Sequence, residues 1–344
     1  MKRVDVTVGI PTRNRSGLLR EAIESVLAQT HRDFALIVSD NASDDDTPEV
    51  VRSYRDPRVV YSPVARNVGR TGNFNRLVEL AETEFVLLLG DDDKLHPDHL
   101  ARTLEVLERH PRVGVVHTGF SLIDESGNVL DPHVPARSSG DDIVLEPGPR
   151  FLERGMNSFP TVCFSSVIFR KAAFVGAGML QTEDGLIDDF PLFMRIAQRW
   201  DFAYVNSSLA EIRAHEGAQS SPLGSFTPLG YRTSRSVPDE LYARRSRFLA
   251  GAELTQREAR KFARAARRTH RHDVLDHLAM CATTGDGLVA SFRSLGKEMR
   301  RDRRLVVERR TWRFVAGQLG GRWARDVARR ALASRADAPS HTSG

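Results

Sequence analysis

The sequence predicts an α/β protein with a doubly wound, mainly parallel sheet, followed by an arginine-rich helical extension at the C-terminus. Over residues 1–120, short segments rich in β-branched residues alternate with amphipathic segments, as in βαβ units around a parallel sheet. From about residue 238 onward the pattern is helical and basic. Because ligands of doubly wound sheets bind beyond the carboxyl ends of the strands, we expect functional side chains in the loops that follow the strands.

The alternation predicts strands and helices in turn through the first third of the chain. Thr47 and Pro48 indicate a helix start, with Thr47 as the cap, and this start closes the loop Asp40–Asp46 at the ligand edge of the sheet. The predicted elements, beginning with a strand, are Val4–Ile10, Gly17–Ala28, Phe34–Ser39, Pro48–Tyr54, Val59–Tyr61, Asn73–Ala81, Phe85–Leu89, Pro97–His110 and Val113–His117.

The alternation stops near residue 120. Ser121–Leu130, with Glu125–Asn128 at its centre, predicts a hairpin, and the span 131–149, rich in Pro, Gly and Ser, predicts a mobile loop. Apolar residues resume in three segments: Val162–Phe169, then Phe190–Ala197 at helical spacing, then Phe202–Val205.

Composition limits the class of protein. The chain has 344 residues and a hydrophobic share of 40%, enough for one large domain with an appendage. Its two cysteines, Cys163 and Cys281, lie far apart, so neither a disulfide framework nor a zinc site is expected, and Cys163 is interpreted as part of the core. No apolar stretch reaches the roughly 18 residues of a membrane span. We expect a cytoplasmic protein.

Charge divides the chain into two regions. Residues 241–344 hold about 24 Lys and Arg against about 10 Asp and Glu, and residues 1–240 are correspondingly acidic. No helix-turn-helix, zinc or aromatic-platform motif accompanies the basic charge, so nucleic acid is not an expected partner.

The most informative segment is the apolar run Leu87–Leu89, which ends in Gly90 and the three carboxylates Asp91, Asp92 and Asp93. Carboxylates held together repel each other unless a cation neutralises them, and hard oxygen ligands suit Mg²⁺ or Mn²⁺. A solvated turn ahead of the next helix is the simpler alternative. The cluster predicts a divalent metal and a phosphorylated substrate.

Five motifs in order resemble glycosyltransferase family 2. The resemblance covers roughly residues 4–215 and implies the GT-A fold, a Rossmann-like sheet, and inverting transfer from nucleotide-diphosphate sugars with Mn²⁺ or Mg²⁺. The motifs are Val8–Arg15, Asp40–Thr47, Arg66–Gly69, Asp91–Asp93, and Asp188 with Asp189.

The resemblance assigns the predicted domains. Residues 1–220 would form the GT-A domain, with a nucleotide-binding half at about 1–120 and an acceptor half at about 121–220. The remaining parts are a linker or flap at 221–237, a basic helical region at 238–333 and a disordered tail at 334–344.

The donor nucleotide is expected at the ends of the first two strands. Asp40 can accept the N–H of the base, and Pro11, Thr12 and Arg13 lie on the adjacent loop. The alternative for Asp40 is loop solvation, and Asp44–Asp46 are interpreted as loop polarity.

Two further segments extend the expected donor site. Arg66, Asn67 and Gly69 follow the third strand where family members contact the nucleotide, although turn chemistry also explains Asn and Gly. Arg213 is assigned to phosphate charge and His215 to the metal or diphosphate; a structural role for this histidine is the alternative.

The acidic cluster departs from the family's Asp-x-Asp-Asp pattern, because Gly90 stands where the first Asp would be. The resemblance then makes Asp92 the best candidate for direct metal coordination, with Asp91 or Asp93 contacting ribose, water or metal. Asp93 is grouped with the metal residues and Asp91 with the donor-binding residues. Gly90 is interpreted as letting the backbone approach the nucleotide.

Asp189 precedes a predicted helix and matches the family's catalytic base, with Asp188 orienting it or contacting the acceptor. Capping of the helix by both carboxylates is the simpler alternative.

The C-terminal segment that begins at Arg309–Phe314 has the pattern of an amphipathic helix with a basic rim. Such a helix can lie on the anionic inner face of a membrane, which would suit a glycolipid acceptor, or it can pack on the core or on a second subunit as a homodimer contact. Packing is the preferred interpretation.

The motifs together predict an inverting, metal-dependent glycosyltransferase that uses a nucleotide-sugar, with UDP favoured, and a hydroxyl of a glycan, glycolipid or small glycoside as acceptor. One alternative is a nucleotide-sugar-binding scaffold with weakened catalysis. A nucleotidyltransferase is less favoured, because Pro11–Asn14 is not a Gly-rich, Lys-containing phosphate loop.

Overall fold

The structure is a computed structural model that describes residues 5–134, 140–157, 162–214, 237–252 and 254–284, together with Leu295 and Met299. The predicted linker or flap, the segment from Arg309 and the tail therefore lie almost wholly outside the described residues. Within the described part, no helix is long and apolar enough to cross a membrane.

The first half of the chain forms alternating strands and helices, as predicted. The elements are β1 (Val6–Thr12), α1 (Ser16–Leu27), β2 (Phe34–Asp40), α2 (Thr47–Ser53), β3 (Val59–Pro63), α3 (Gly69–Leu80), β4 (Phe85–Leu88), β5 (Lys94–Leu95), α4 (His99–Arg109) and β6 (Val113–Ile123). Every predicted element is present. Strand β5 is an additional short strand that the sequence pattern does not predict, and the other differences are at the ends.

The second half contains more regular structure than the sequence pattern predicts. Its elements are β7 (Val129–Val134), β8 (Ile143–Glu146), α5 (Gly148–Asn157), β9 (Val167–Arg170), α6 (Lys171–Gly176), α7 (Asp189–Ile196), β10 (Asp201–Arg213), α8 (Val237–Gly251) and α9 (Gln256–Thr284), with short 3₁₀ turns at Phe164–Ser166 and Thr182–Ile187. The hairpin prediction is confirmed, since β7 pairs antiparallel with β6. The loop prediction for 131–149 is wrong where β7, β8 and α5 enter that span.

The strands form one mixed sheet in the order β3-β2-β1-β4-β9-β6-β10-β5. Strands β3, β2, β1 and β4 are mutually parallel. Strand β9 runs antiparallel between β4 and β6, so β6 and its parallel neighbour β10 again point the same way as β1. The carboxyl ends of six strands therefore meet at one edge, and the prediction of a mainly parallel, doubly wound sheet is confirmed.

Two hydrophobic clusters fill the two faces of this sheet. Along β4, Phe85 and Leu87 belong to one cluster and Val86 and Leu88 to the other, because successive side chains of a strand point to opposite faces. All four are buried. Full burial of such side chains stabilises the fold by about 1.5–3 kcal/mol each.

The loop after β2 is held by a carboxylate at the start of α2. The helix begins at Thr47, so Thr47 does not cap it as predicted. Asp45 accepts hydrogen bonds from the Thr47 backbone N–H at 3.0 Å and hydroxyl at 2.5 Å, and from the Ser16 backbone N–H at 3.0 Å. Asp45 thus joins the loops that follow β1 and β2. This is a specific structural role, whereas the sequence predicts only a polar loop residue at this position.

Helices α8 and α9 pack against the main domain. Phe248, Phe262 and Ala266 are buried in the same cluster as the α7 side chains. The Arg245 side chain is fully buried, and its Nε donates to the Gly155 carbonyl of α5 at 3.0 Å. The described part of the basic region is therefore a packed extension of the fold.

Candidate active site

The predicted donor residues lie at the carboxyl ends of the adjacent parallel strands β1, β2 and β3, which end in register with one another. The register pairs Thr12 of β1 with Asp40 of β2, and Asp40 with Pro63 of β3. Strand β4 lies on the other side of β1 and leads into the acidic cluster. The topology therefore gathers the first four predicted motifs along one edge.

Asp91 and Asp92 share a cation that belongs to the protein itself. The Arg15 Nη1 donates to Asp91 Oδ1 at 3.1 Å and to Asp92 Oδ2 at 2.8 Å. The Thr12 hydroxyl donates to Asp91 Oδ2 at 2.8 Å. Arg15 was not singled out by the sequence pattern, and its single positive charge offsets part of the negative charge of the two carboxylates, a role that the pattern assigned to a metal.

Asp93 faces the interior of the protein. One carboxylate oxygen accepts the backbone N–H of Arg213 at 2.9 Å, and the other accepts the hydroxyl of Ser165. Ser165 in turn accepts the backbone N–H of Gly90 at 3.0 Å. Asp93 thus ties the end of β4 to β10 and to the turn before β9.

Burial and the neighbouring Asp92 carboxylate raise the pKa of Asp91 and of Asp93. Each of these carboxylates is buried beside another negative charge, while Arg15 lowers the pKa of Asp91 and the Ser165 hydroxyl lowers that of Asp93. The cluster therefore lies in an environment that a further cation would stabilise.

The cluster is not a preformed metal cage. Within the described residues, no three Asp, Glu, His or Cys side chains are arranged to hold a metal ion. Mg²⁺ is commonly held by one or two carboxylates plus the phosphates of the substrate. Asp91 and Asp92 fit that mode of binding, whereas the interior contacts of Asp93 favour a structural role over the direct ligation expected from the sequence.

Gly90 makes room for the carboxylates that follow it. A Cβ atom at this position would lie 2.9 Å from Asp92 Oδ1 and 2.9 Å from Asp93 Oδ2. Such approaches are shorter than real Cβ contacts. The missing side chain is thus explained by the fold of the cluster itself, in addition to the close backbone approach expected from the sequence.

Asp40 lies at the end of β2 with only 2% of its surface exposed. Its Oδ2 accepts the Tyr61 hydroxyl at 2.6 Å, and its Oδ1 accepts the Ser43 backbone N–H at 2.9 Å. Burial and the hydrogen bond to Asp40 raise the pKa of Tyr61 above its ordinary range. Asp40 is thus oriented by two donors at the strand end where a nucleotide base is expected.

The loop after β3 is organised by two asparagines. Asn41 donates from Nδ2 to Asn67 Oδ1 at 2.8 Å and accepts the backbone N–H of Val68 at 2.8 Å. Gly69 has φ +78°, a conformation that L side chains rarely adopt. Asn67 and Gly69 thus have the turn roles that the alternative described, and their contact with the donor stays a prediction. Arg66 is an exposed cation beside them.

On the loop after β1, Pro11 is buried and Arg13 is exposed. Thr12 is buried and engaged with Asp91, so its contact with a donor would be indirect. Of these three predicted donor residues, Arg13 has the side chain that presents itself to solvent.

Asp188 and Asp189 lie at the start of α7 and differ in their surroundings. Asp188 is 1% exposed and forms an ion pair with Arg70 of α3, supported by the Thr71 hydroxyl at 3.5 Å. Among the described residues, Asp188 Oδ1 has no hydrogen-bond partner. Asp189 is partly exposed, and its Oδ1 accepts the Phe190 backbone N–H at 2.8 Å. This contact is with the adjacent residue, and the N-cap residue Asp188 makes no side-chain capping hydrogen bond, so the structure does not show the capping that the alternative predicts.

Burial, with the adjacent Asp188 carboxylate, raises the pKa of Asp189 to about 6, against the opposing charge of Arg70. Burial and the charges of Asp93, Asp189 and Asp92 raise the pKa of the Cys163 thiol. Asp189 and the acidic cluster therefore act electrostatically on the same buried cysteine, which lies in the core as predicted. The predicted base and the acidic cluster therefore both lie within electrostatic reach of Cys163, on the turn whose Ser165 contacts Asp93.

Arg213 has a different set of partners from the one expected. Its side chain is 1% exposed. The guanidinium donates to the carbonyls of Asp92, Asp124 and Glu125 at 2.9–3.2 Å and to Glu21 Oε2 at 2.7 Å. These contacts favour a structural clamp over the predicted phosphate contact. His215 lies outside the described residues.

Four contributors to the site were missed by sequence reasoning: Arg15, Tyr61, Arg70 and Ser165. Each acts on a carboxylate that is distant in the sequence, as Ser165 does on Asp93. The string Asn14–Arg15 lies within a quoted motif, which was the one available signal for Arg15. Nothing in the local pattern distinguishes Tyr61 or Ser165 from ordinary core residues.

Comparison with known proteins gives the protein family that this chain resembles. Residues 7–174 match the model of the family described as glycosyl transferase family 2. The GalNAc(5)-diNAcBac-PP-undecaprenol beta-1,3-glucosyltransferase of Campylobacter jejuni is 38% identical over 129 residues, which is 36% of this chain and 40% of that protein. The chain covers less than two thirds of the length of the first curated relatives that it matches.

Two solved structures share the fold. The mannosyltransferase PcManGT from Pyrobaculum calidifontis, in complex with GDP-Man and Mn²⁺, is similar with a TM-score of 0.56 and 17% identity, over 97% of this chain and 89% of that one. S. aureus TarS 1-349, in complex with UDP-GlcNAc, is similar with a TM-score of 0.55 and 15% identity, over 91% and 80%. With the family match, the sheet topology and the motif residues at one edge, the segment 7–174 belongs to glycosyltransferase family 2.

Proposed function

We propose that the protein is an inverting glycosyltransferase that moves a sugar from a nucleotide-diphosphate donor, UDP being favoured, to a hydroxyl acceptor. The observation that carries this proposal is Asp189, a partly exposed carboxylate whose pKa is raised to about 6 near the acidic cluster. A base of this kind is largely ionised at neutral pH and still able to accept a proton.

The donor nucleotide would bind along the ends of β1, β2 and β3. Asp40, oriented by Tyr61, would accept the N–H of the base, and the exposed guanidinium groups of Arg13 and Arg66 would face the donor. Asp91 and Asp92 would hold Mg²⁺ or Mn²⁺ together with the donor diphosphate. A bound divalent ion stabilises the charge that develops on the leaving phosphate.

Asp189 would carry out the proton transfer. As the acceptor oxygen bonds to the anomeric carbon, its proton passes to the Asp189 carboxylate, and the bond from that carbon to the diphosphate oxygen breaks on the opposite side. The nucleotide diphosphate leaves with the electron pair. Asp188 would hold Asp189 in place through the Arg70 ion pair, which makes it a positioning residue.

A glycan, a lipid-linked glycan or a small glycoside remains the proposed acceptor. The name of the Campylobacter relative refers to a lipid-linked substrate, which supports the lipid-linked class. A cytoplasmic location, at the inner face of the membrane, belongs to this proposal. The segment from Arg309 would provide one of two contacts. It would lie on the membrane surface, or it would join two copies of the chain as a homodimer through the C-terminal helices.

The test is thermal stabilisation by UDP-, GDP-, CDP- and dTDP-sugars, each with and without Mn²⁺. Because a ligand that binds only the native state at a hundred times its Kd adds about 2.7 kcal/mol, we expect one nucleotide to raise the Tm by several degrees. The rise should be larger with Mn²⁺ and lost in Asp92→Ala.

Glu105→Gln, which removes a carboxylate charge on the outer surface of α4, should respond to the donor as the wild type does. If no donor shifts the Tm of either protein, the donor assignment is wrong. Donor binding without transfer to any acceptor would instead support the second candidate function, a nucleotide-sugar-binding scaffold with weakened catalysis. The interior orientation of Asp93 favours this candidate, because it leaves one carboxylate fewer for a metal.

A further inference from the structure

Arg15 occupies the position at which a cation would neutralise the acidic cluster. A single Nη1 atom contacts both Asp91 and Asp92, at 3.1 and 2.8 Å. The side-chain exposure is 23% for Arg15, 9% for Asp91 and 15% for Asp92, so this contact is only weakly screened by solvent. An arginine cannot lose its proton in a protein, so the Arg15 guanidinium stays charged across the ordinary pH range.

The backbone holds Arg15 in front of the cluster. Asn14, directly before it, has φ +54°, and its backbone N–H donates to the Ser43 hydroxyl at 3.0 Å. Asn14 Oδ1 accepts the backbone N–H of Asp44 at 2.9 Å. Ser16, directly after Arg15, is bound through its backbone N–H to Asp45. Both neighbours of Arg15 are therefore tied to the loop after β2, which fixes the backbone position from which the Arg15 side chain reaches the cluster.

We propose that Arg15 is the resident counter-cation of Asp91 and Asp92 and competes with the divalent metal for them, so that metal binds as the guanidinium leaves. This inference rests on the proposed function, because it takes Asp92 as a metal ligand. A guanidinium and a divalent cation cannot share the same carboxylate oxygen at bonding distance without strong repulsion. Arg15 would thereby weaken the binding of metal until the donor diphosphate adds its own oxygen ligands.

The experiment measures Mn²⁺ binding without donor, from the electron paramagnetic resonance signal of free Mn²⁺ during a titration of the protein. In Arg15→Gln the competitor is absent, and we expect the apparent Kd for Mn²⁺ to fall at least about tenfold relative to the wild type. The matched control is Arg20→Gln, which removes the same charge from an exposed position of α1 and should leave the Kd unchanged.

Arg15→Lys provides a second variant that retains the positive charge, and its Kd should lie close to that of the wild type. An equal fall of the Kd in Arg15→Gln and Arg20→Gln would reduce the effect to general charge and overturn the proposal. Failure of Mn²⁺ to bind to Arg15→Gln would also overturn it.

Displacement has its own readout in the wild type. Labelling of arginine by phenylglyoxal, mapped by mass spectrometry, should rise at Arg15 when Mn²⁺ is added and stay constant at Arg20. Constant labelling at Arg15 would overturn the proposal. The donor panel described above is independent of both measurements, so a failure of the proposed function and a failure of this inference are distinguishable.

Discussion

At the scale of single residues, the site concentrates negative charge where water is scarce. Asp91, Asp93, Asp188 and Asp189 all have a raised pKa, with burial as the largest cause. Each is therefore less stable when ionised than an exposed carboxylate would be. Such a site lowers the stability of the fold in return for reactive or ion-binding groups.

Asp189→Asn should abolish transfer and raise stability at neutral pH. The amide keeps the acceptor oxygen for the Phe190 N–H but cannot take a proton. Because the folded-state pKa of Asp189 is raised to about 6, the wild type loses stability as the pH rises through that value. We expect a gain of roughly 1–2 kcal/mol at about pH 7.5 in denaturant unfolding, shrinking toward zero near pH 4.

The same base predicts the pH dependence of the wild-type rate. Only ionised Asp189 accepts the proton, so kcat/KM should fall tenfold per pH unit below about pH 6. A variant that transfers sugar at the wild-type rate without this carboxylate would contradict the assignment of the base.

Sequence reasoning predicted the residues that are adjacent in the chain and missed those assembled by the fold. Asp40, Asp92 and Asp189 follow recognisable patterns at strand or helix ends, although their roles remain predictions. Arg15 and Ser165 act on carboxylates that are 76 and 72 residues away in the sequence. Local spacing contains no information on such pairs.

At the scale of elements, the Arg70–Asp188 ion pair joins α3 to α7. Arg70 directly follows the loop predicted to contact the donor, and its guanidinium lies 4.6 Å from the Phe74 ring centroid. Asp188 directly precedes Asp189. The pair is thus a physical connection between the donor loop and the base.

Arg70→Ala should destabilise the protein by about 2 kcal/mol, because it leaves the buried Asp188 carboxylate without its partner. The loss should be smaller at acid than at neutral pH, because burial raises the pKa of Asp188 and protonation removes its unpaired charge. Denaturant unfolding at the two pH values measures both effects.

Arg70→Ala combined with Asp188→Asn should recover most of this loss, since no unpaired charge is then buried. A double variant that is additive in its two single effects would show that the pair is not coupled.

Elements were predicted where periodicity was long and missed where it was short or interrupted. Strand β10 runs over 13 residues, yet only Phe202–Val205 was recognised, because polar residues from Asn206 to Ser208 interrupt the apolar pattern and coincide with register shifts. Helix α5 begins at Gly148-Pro149, which the sequence pattern treats as loop.

At the scale of the whole molecule, the described C-terminal helices are part of one core. Phe262 of α9 is 6% exposed and lies in the cluster that also contains Phe193 of α7 and Phe169 of β9. Loss of packing at α9 should therefore weaken the whole domain.

Phe262→Ala should lower the free energy of unfolding by about 3 kcal/mol through loss of buried apolar surface and creation of a cavity. Unfolding should remain a single transition, because the cluster is shared. Arg264→Ala, on the exposed side of the same helix, should change stability by less than about 0.5 kcal/mol. A separate early transition in Phe262→Ala would show instead that the helices form an independent unit.

Gly90 limits the order in which substitutions can accumulate in the acidic cluster during evolution. The space that a side chain would need is filled by Asp92 and Asp93, so a larger residue at position 90 must wait for a rearrangement of those carboxylates. Asp93 is bound to Ser165 and to the backbone of β10, which makes such a rearrangement costly. An evolutionary path from this cluster to one with a fourth carboxylate would therefore pass through the partners of Asp93 before it reached position 90.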